Sequence, residues 1–586
     1  MFPRRALLVP VFVLILVFDS PALAGSISVK IIAFNDFHGN LQSPGKFRVN
    51  ADSPELPSGG IDFLSAYVSS LAAQNPNHVV VSAGDLIGAS PLVSALFHDE
   101  PTIEAMNRLG LDLNAVGNHE FDKGRAELQR MQSGGCSTKD QNTCKGAQVG
   151  TPAPFEGARF QFLAANVLDA STGRPIFPAY AIKSFSGVRI AFIGLTLRAT
   201  PTMVTPTGVA GLRFTDEAET INTLARDLRG QGIESVVVLI HQGGEQTGAP
   251  PPDINACSGG LEGSPIQSIV SRLDDAVDLV VSGHTHQAYI CRVANSVGRR
   301  IPVTSASSYG RLVTDIDLTI DADTKRIAAI TARNILVDRT NPKIMPDALI
   351  EKLVSRYDAL AAPLKSHVIG RVTADVTFTL SPGGEAPIGD LIADAQLEAT
   401  RDSGHAVVAF MNRGGIRGPR AFYAAGAPSH PGTITYDDIF TVQPFGNSLV
   451  TMTLTGTQLH TLLEQQFKGC TLEFPAGNTT GHTFDQILQI SSGFTYSWNP
   501  AGPVCAKVDP ASIKINGIAI TPEGKYRVTA NSFLADGGDQ LYEFTRGTDR
   551  VGGPQDIDAL AAFFAAHPAV APSPSARIRL TPQTNP

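Results

Sequence analysis

Runs of β-branched and other apolar residues recur along the first 320 positions, at 29–34, 78–82, 162–165, 188–195, 235–240 and 277–281. Their near-continuous hydrophobicity predicts buried strands. Between them, 61–73 and 216–228 place apolar residues at helical spacing, and this alternation of strand and helix predicts a layered α/β domain. Pro342 and Pro346 punctuate the chain. Leu349, Leu353, Tyr357 and Leu360 then recur at helical spacing up to Pro363, which predicts a linker helix ended by that proline.

A different pattern follows. Strand-like runs at 405–410, 449–454 and 526–530 mix with helical ones at 388–399 and 457–467, which predicts a separate α+β domain. A short Ala/Phe-rich helix over 557–566 and a Pro- and Ser-rich tail close the chain, and the tail is assigned no chemistry. The expected division is 1–24, 25–341, a linker over 342–365, 366–550, and a C-terminal helix and tail over 551–586.

Composition narrows the class. The 586 residues are 43% hydrophobic and 17% charged, ample apolar material for packed cores and too little charge for a disordered chain. Asp and Glu (54) outnumber Lys and Arg (46), giving a net charge of −8. Binding a nucleic acid polymer needs a basic surplus, so no such partner is expected.

The first 24 residues carry Arg4 and Arg5, an apolar run over 6–18 and the small-residue site Ala22-Leu23-Ala24. That order reads as a secretory signal peptide cleaved after Ala24. The run is shorter than the ~20 residues that span a bilayer, and no later stretch is long enough, so stable membrane insertion is not expected. The address is the periplasm or the medium. Export gives the six cysteines a meaning as disulfides. Neighbour pairing, Cys136–Cys144, Cys257–Cys291 and Cys470–Cys505, closes the shortest loops, although sequence alone leaves the connectivity open. No C-x-x-C pair favours a cysteine zinc site.

The histidines carry the chemistry. Five of the 13, His38, His119, His241, His284 and His286, fall at or just past the ends of predicted strands, beside Asp36, Asp85 and Asn118. Strand carboxyl ends of an open α/β sheet converge on one crevice, so segments far apart in sequence can surround one point. Any one of these short motifs alone reads as a turn or a satisfied polar pair. Together, imidazoles and carboxylates suit zinc, manganese, iron or cobalt better than the all-oxygen shells of magnesium or calcium.

The order D-x-H, G-D, G-N-H-E, H, G-H-x-H resembles the calcineurin-like metallophosphoesterases, and the wider pattern is similar to the secreted 5′-nucleotidase/UDP-sugar hydrolase family. The resemblance runs over about residues 27–548. It implies an N-terminal four-layer α/β/β/α domain, a linker helix and a C-terminal α+β substrate-binding domain. It also implies two divalent metal ions. Asp36, His38 and His286 would hold one, Asn118, His241 and His284 the other, and Asp85 would bridge them. A shared anion offsets the repulsion of two close dications. His119, oriented by Asp122, would be the catalytic pair; Asp122 taken alone fits a helix cap.

The second domain bears on the substrate. Asn412-Arg413-Gly414-Gly415-Ile416-Arg417 is similar to the family's N-x-G-G-x-R segment, where arginine pairs with phosphate. Pro444-Phe445-Gly446-Asn447 and Ser532-Phe533 through Asp536-Gly537-Gly538-Asp539 resemble its other binding segments. By that likeness Phe445 and Phe533 would sandwich a base, Asp539 would bind ribose hydroxyls, and Asn412 and Asn447 would touch the base edge. Singly, each phenylalanine fits a core position and each Gly-rich segment a turn.

Some 5′-nucleotidases carry another phosphate-binding arginine just before the helix that starts here near Ile388, where this chain has Gly383-Gly384-Glu385-Ala386-Pro387. Arg417, assisted by Arg413, is then the expected cation, and pyrophosphate-linked or cyclic nucleotides gain weight. The resemblance also implies that the second domain turns about 348–360. The expected function is an exported dimetal 5′-nucleotidase. UDP-sugar hydrolysis or 2′,3′-cyclic-nucleotide phosphodiesterase activity on the same site is the alternative, and a non-catalytic nucleotide-binding protein or a sulfur-compound hydrolase comes from further away.

Overall fold

The computed structural model describes residues 25–581 except 139, 205, 248–251, 419, 426–431, 476–480 and 575. The signal-peptide reading, with Arg4, Arg5 and the cleavage site after Ala24, lies outside the described residues.

Two six-stranded sheets form the centre of the N-terminal domain. The first runs in the order Ile327–Leu336, Leu312–Asp321, Ser26–Phe34, His78–Ser82, Leu113–Ala115, Gln161–Leu163, and its last four strands are parallel. The second runs Ala288–Ala294, Arg300–Ala306, Leu279–Ser282, Ser235–His241, Val188–Thr196, Tyr180–Phe185, with its four inner strands parallel.

Strand periodicity stacks these sheets. In Ser26–Phe34 the odd positions Val29, Ile31 and Ala33 meet Phe192, Val237, Leu239 and Val281 of the other sheet. The even positions Ile32 and Phe34 turn to helices Ile61–Ala72 and Glu100–Leu109. The outer face of the second sheet is covered by helices Glu217–Gly230 and Pro265–Val270. Alternate side chains of one strand thus feed two cores, giving the expected α/β/β/α layers. The edge strands Ala288–Ala294 and Ile327–Leu336 carry exposed and half-buried residues and, with their inner neighbours Arg300–Ala306 and Leu312–Asp321, escaped a reading based on continuous apolar runs.

The linker helix spans Ala348–Lys365 and contains Pro363 rather than ending before it. Its N-cap is Asp347, whose carboxylate accepts from the Leu349 and Ile350 amides. Ile350, Leu353, Val354, Tyr357 and Ala361 are packed into the first domain's core. Residues 348–360 are therefore part of that domain's body and offer no free hinge.

In the C-terminal domain a five-stranded mixed sheet, ordered Gln489–Ile490, Val408–Met411, Lys525–Asn531, Ser448–Thr455, Thr548–Gln555, is flanked by two cores. Helices Pro387–Arg401 and Asp556–Ala566 pack on one side, Gly456–Gln465 on the other. The tail is structural: Ile578–Leu580 pairs in parallel with Phe494–Trp498, and Arg577 donates bidentately to Asp394. The three cysteine pairs are the neighbour pairs, Cys136–Cys144, Cys257–Cys291 and Cys470–Cys505. Among the described residues no helix is long and apolar enough to cross a membrane.

One polar contact anchors the linker helix. The Tyr357 hydroxyl donates to Glu104 Oε2 at 3.1 Å, and Glu104 is 5% exposed. Burial pushes the Glu104 carboxyl from 4.5 up to about 7. The folded chain therefore holds this proton more tightly than the unfolded chain, and stability falls as pH rises from about 4.5 to 7 and is level beyond. Glu104→Gln should remove that loss, gaining on the order of 2 kcal/mol over wild type at pH 8 relative to pH 4.5. Denaturant melts of both proteins at the two pH values measure it; an unchanged difference between them refutes it.

Candidate metal centre and adjoining pocket

The parallel strands of both sheets end on the same side, and the turns after them carry polar residues. Asp36 and His38 follow Ser26–Phe34, Asp85 follows His78–Ser82, Asn118 follows Leu113–Ala115, His241 ends Ser235–His241, and His284 and His286 follow Leu279–Ser282. All seven predicted metal ligands meet in this crevice. Donor atoms of Asp36, His38 and His286 lie within 4.8 Å of one another, and so do those of Asp85, His241 and His284. Asp85 Oδ2 stands 2.9 Å from His241 Nε2 and 3.6 Å from His38 Nε2, between the two groups. Asn118 Oδ1 is 3.1 Å from His284 Nδ1.

The turns are strained to achieve this. Asp36, His38, Asp85, His284 and His286 have φ of 50°, 47°, 52°, 72° and 57°, a left-handed conformation that side-chain-bearing residues avoid at a cost of order 1 kcal/mol each. Backbone bonds hold them there: Asp36 N–H donates to Gly84 O, His38 N–H to Asp85 O, and Tyr309 N–H to Asp36 O. Glu120, given no role from sequence, accepts from the amides of Asp85, Leu86 and Gly117 and so ties two ligand turns together. Gly84 and Gly117 allow close approach, since a Cβ would lie 2.6 Å from His241 Nδ1 and 2.2 Å from Asp85 Oδ1 respectively.

These residues fit a pair of dications. His38 Nδ1 is bonded to Gly88 O and His241 Nδ1 to Ala83 O, which turns each Nε2 inward. Burial lowers the His241 pKa, but the Asp85, Asp36 and Glu120 charges and the Asp85 hydrogen bond outweigh burial and raise it to about 10. His38 Nε2 faces His286 Nε2 at 3.1 Å, and the buried His241 Nε2 faces Asp85 Oδ2 at 2.9 Å. Burial lowers His38 and His284 to about 3, so both are neutral at ordinary pH. Inward-facing imidazole nitrogens and carboxylates that converge on two neighbouring points are a donor set suited to cations.

Next to them, His119 Nδ1 lies 2.9 and 3.0 Å from the two Asp122 oxygens. Burial lowers the His119 pKa, but the Asp122 and Asp85 charges and the Asp122 hydrogen bond outweigh it and leave the pKa raised. The His119 ring stacks on Phe445 of the other domain, centroids 5.8 Å apart and planes within 19°.

A cavity of about 560 Å³ opens there between the domains. It is lined by Asn118, His119, Asp122 and His284 from one side and by Asn412, Arg413, Arg417, Phe445, Asn447, Phe533 and Asp539 from the other. The structure brings together every predicted substrate residue. Asn412 is held in place on the cavity wall, its Nδ2 donating to Asp539 Oδ2 at 2.7 Å and its Oδ1 accepting from Asn531. Asp539 is pushed up to about 6 by burial, with the Asn412 bond opposing. Gly538 lies against Phe533, where a Cβ would be 2.5 Å from the ring.

Glu385 stands in the segment where some 5′-nucleotidases carry the additional arginine. Its carboxylate is fully buried and accepts from the Arg577 backbone N–H, and it does not line the cavity. Arg420 does line it, as do Met203, Val204, Phe484 and Gln486. None of these five stood out in sequence: Arg420 lies just beyond the glycine motif, and the others carry no motif.

The fold and the crevice define a class: a two-domain protein whose dimetal-type centre faces a cationic, aromatic pocket on a second domain. The chain belongs to the calcineurin-like phosphoesterases that carry a 5′-nucleotidase C-terminal domain, with the family models for these two domains matching residues 29–288 and 368–546. It is 31% identical over 540 residues to Endonuclease YhcR of Bacillus subtilis and 28% identical over 547 residues to the cell wall protein Lmo0130 of Listeria monocytogenes. These alignments cover 92% and 90% of this chain but 39% and 65% of those proteins, so the chain spans less than two thirds of either relative. The fold matches the crystal structure of a 5′-nucleotidase precursor from Thermus thermophilus with a TM-score of 0.71 and 24% identity, covering 96% of this chain and all of that one.

Metal loading should be visible as stability. Zn²⁺ or Mn²⁺ at ~100 times its dissociation constant should stabilise chelator-stripped protein by about 2.7 kcal/mol per site, and His241→Ala should lose part of that gain. Thermal melts with and without metal measure it, and a midpoint indifferent to both ions would refute the assignment.

Proposed function

We propose that the chain is an exported, dimetal-dependent 5′-nucleotidase that hydrolyses nucleoside 5′-monophosphates to nucleoside and phosphate. The observation that carries this is the single cavity in which His119, Asp122 and metal-ligand residues face Arg417, Phe445, Phe533 and Asp539.

In this reading Asp36, His38 and His286 would hold one ion, Asn118, His241 and His284 the other, with Asp85 shared between them; the donor set suits zinc, manganese, cobalt or iron. Such a pair, when bound, supplies an activated water and a clamp on the phosphoryl oxygens. Phe445 and Phe533 stack the base, a contact tolerant of base identity. Asp539, steadied by Asn412, takes ribose hydroxyls. Arg417 orients the phosphate with charge-assisted hydrogen bonds. His119, held as a cation by Asp122, stabilises the charge developing on the leaving 5′-oxygen and delivers its proton there. The signal-like leader and the three disulfides support export to the periplasm or beyond.

Phosphate release by metal-reconstituted protein from AMP, UDP-glucose (after added phosphatase) and 2′,3′-cyclic AMP tests the reading. AMP should be hydrolysed, and His119→Ala should lower kcat by roughly 10²–10⁴-fold without loss of metal. No release from any of the three by protein with metals bound would replace an enzyme with a binding protein.

A further inference from the structure

The strand Lys525–Asn531 lies between Val408–Met411 and Ser448–Thr455 in the second domain's sheet. It runs parallel to the former with Ala530 beside Phe410, so the two strands reach the pocket wall side by side, one at Asn412 and the other at Asn531. Asn531 is 1% exposed and stands just before the segment that carries Phe533 and Asp539.

Three hydrogen bonds lead from this residue to the acid of the pocket. The Leu534 N–H donates to Asn531 Oδ1 at 2.9 Å, which caps the short helix Ser532–Ala535 bearing Phe533. Asn531 Nδ2 donates to Asn412 Oδ1 at 3.2 Å, and Asn412 Nδ2 donates to Asp539 Oδ2 at 2.7 Å. The direction of this relay is set from both ends. A backbone N–H can only donate, so Asn531 presents its oxygen to Leu534 and its amide hydrogens to Asn412. An ionised carboxylate can only accept, so Asn412 presents its hydrogens to Asp539 and its oxygen to Asn531. Asn412 Oδ1 is also hemmed in, since a Cβ on Gly415 would lie 2.7 Å from it. A reversed Asn412 amide would set oxygen against oxygen at Asp539 and nitrogen against nitrogen at Asn531.

We propose that Asn531 is a positioning residue: through Asn412 it fixes the Asp539 carboxylate for the hydroxyls of a ligand's sugar, while its own oxygen fixes the helix that carries Phe533. The inference rests on the nucleotide reading above and adds to it the residue that aligns the sugar contact. The two duties are separable. Asn531→Ser keeps a cap oxygen for Leu534 but is too short to reach Asn412, and Asn531→Asp keeps the cap oxygen but offers no hydrogen. Sugar hydroxyls are remote from the reacting bond, so their contact is the same in ground and transition states and its loss falls on KM rather than kcat.

The test follows phosphate release by the metal-reconstituted full chain from AMP and from 2′,3′-dideoxy-AMP, which lacks both sugar hydroxyls. Wild type should show a KM about ten-fold or more lower for AMP. Asn531→Ser and Asn531→Asp should each raise the AMP KM about ten-fold or more, while kcat and the dideoxy-AMP KM stay within about two-fold. Asn531→Ala, which loses the cap as well, should raise KM for both substrates. Thermal melts show whether each variant folds, and Asn531→Asp decides the matter if Asn531→Ser does not. An equal rise for both substrates in the Ser and Asp variants, or a loss confined to Asn531→Ala, makes Asn531 a helix cap alone and overturns the inference while the nucleotide reading stands. A wild type that releases no phosphate from AMP, or treats the two substrates alike, overturns the sugar role of Asp539 and the inference with it.

Discussion

Gathering buried imidazoles and carboxylates at one point is the constraint on which the rest of the structure depends. Asp36, His38, Asp85 and His241 are each at most 1% exposed, and unpaired buried polar groups of this kind cost several kcal/mol apiece. The chain meets that cost locally with backbone bonds and glycines, and globally with two stacked sheets whose parallel strands end together. Divalent cations complete the balance. The left-handed turns at five of the seven ligands are what sheet geometry requires of residues that must turn back into the crevice at once.

The same constraint explains what was legible in the sequence. Parallel strands buried on both faces are written as continuous apolar runs, so most of the sheet centres and the ligand turns after them could be read directly, whereas the short Leu113–Ala115 and the polar-interrupted Arg300–Ala306 could not. The half-exposed strands Tyr180–Phe185 and Ile327–Leu336 alternate irregularly and were not. Pro363 misled because a proline in the last turn of a helix removes an N–H whose acceptor lies one turn back, and Ala348–Lys365 tolerates that loss where its packing is already made. Glu385 could not be placed from sequence for another reason. Its charge was legible, but its direction was not, and only the tail strand that runs past it shows that it serves the backbone of Arg577.

The two domains divide the electrostatics between them. The first contributes carboxylates and inward-facing imidazoles, a site that attracts cations. The second contributes Arg413, Arg417 and Arg420, a site that attracts anions, and Phe445 joins the two by stacking on His119. Neither half is suited alone to a phosphate ester, which needs cations on both sides of its oxygens, and the cavity between them supplies both.

Any movement of one domain against the other must then be located outside the linker helix. Tyr357, Leu353 and Ile350 are immobilised in the first core, and the Tyr357–Glu104 bond fixes the helix further. The chain leaves the helix at Ser366 and enters the second domain through Val368–Gly370, which pairs with Ile434–Thr435. Rotation confined to that short crossing would part His119 from Phe445, and with them the acidic and basic halves of the pocket. The loop Thr200–Thr202, which touches Gly538–Gln540 across the same gap, would separate with them. The long, rigid helix and the short crossing after it therefore favour a swivel about one point over a bending of the helix itself.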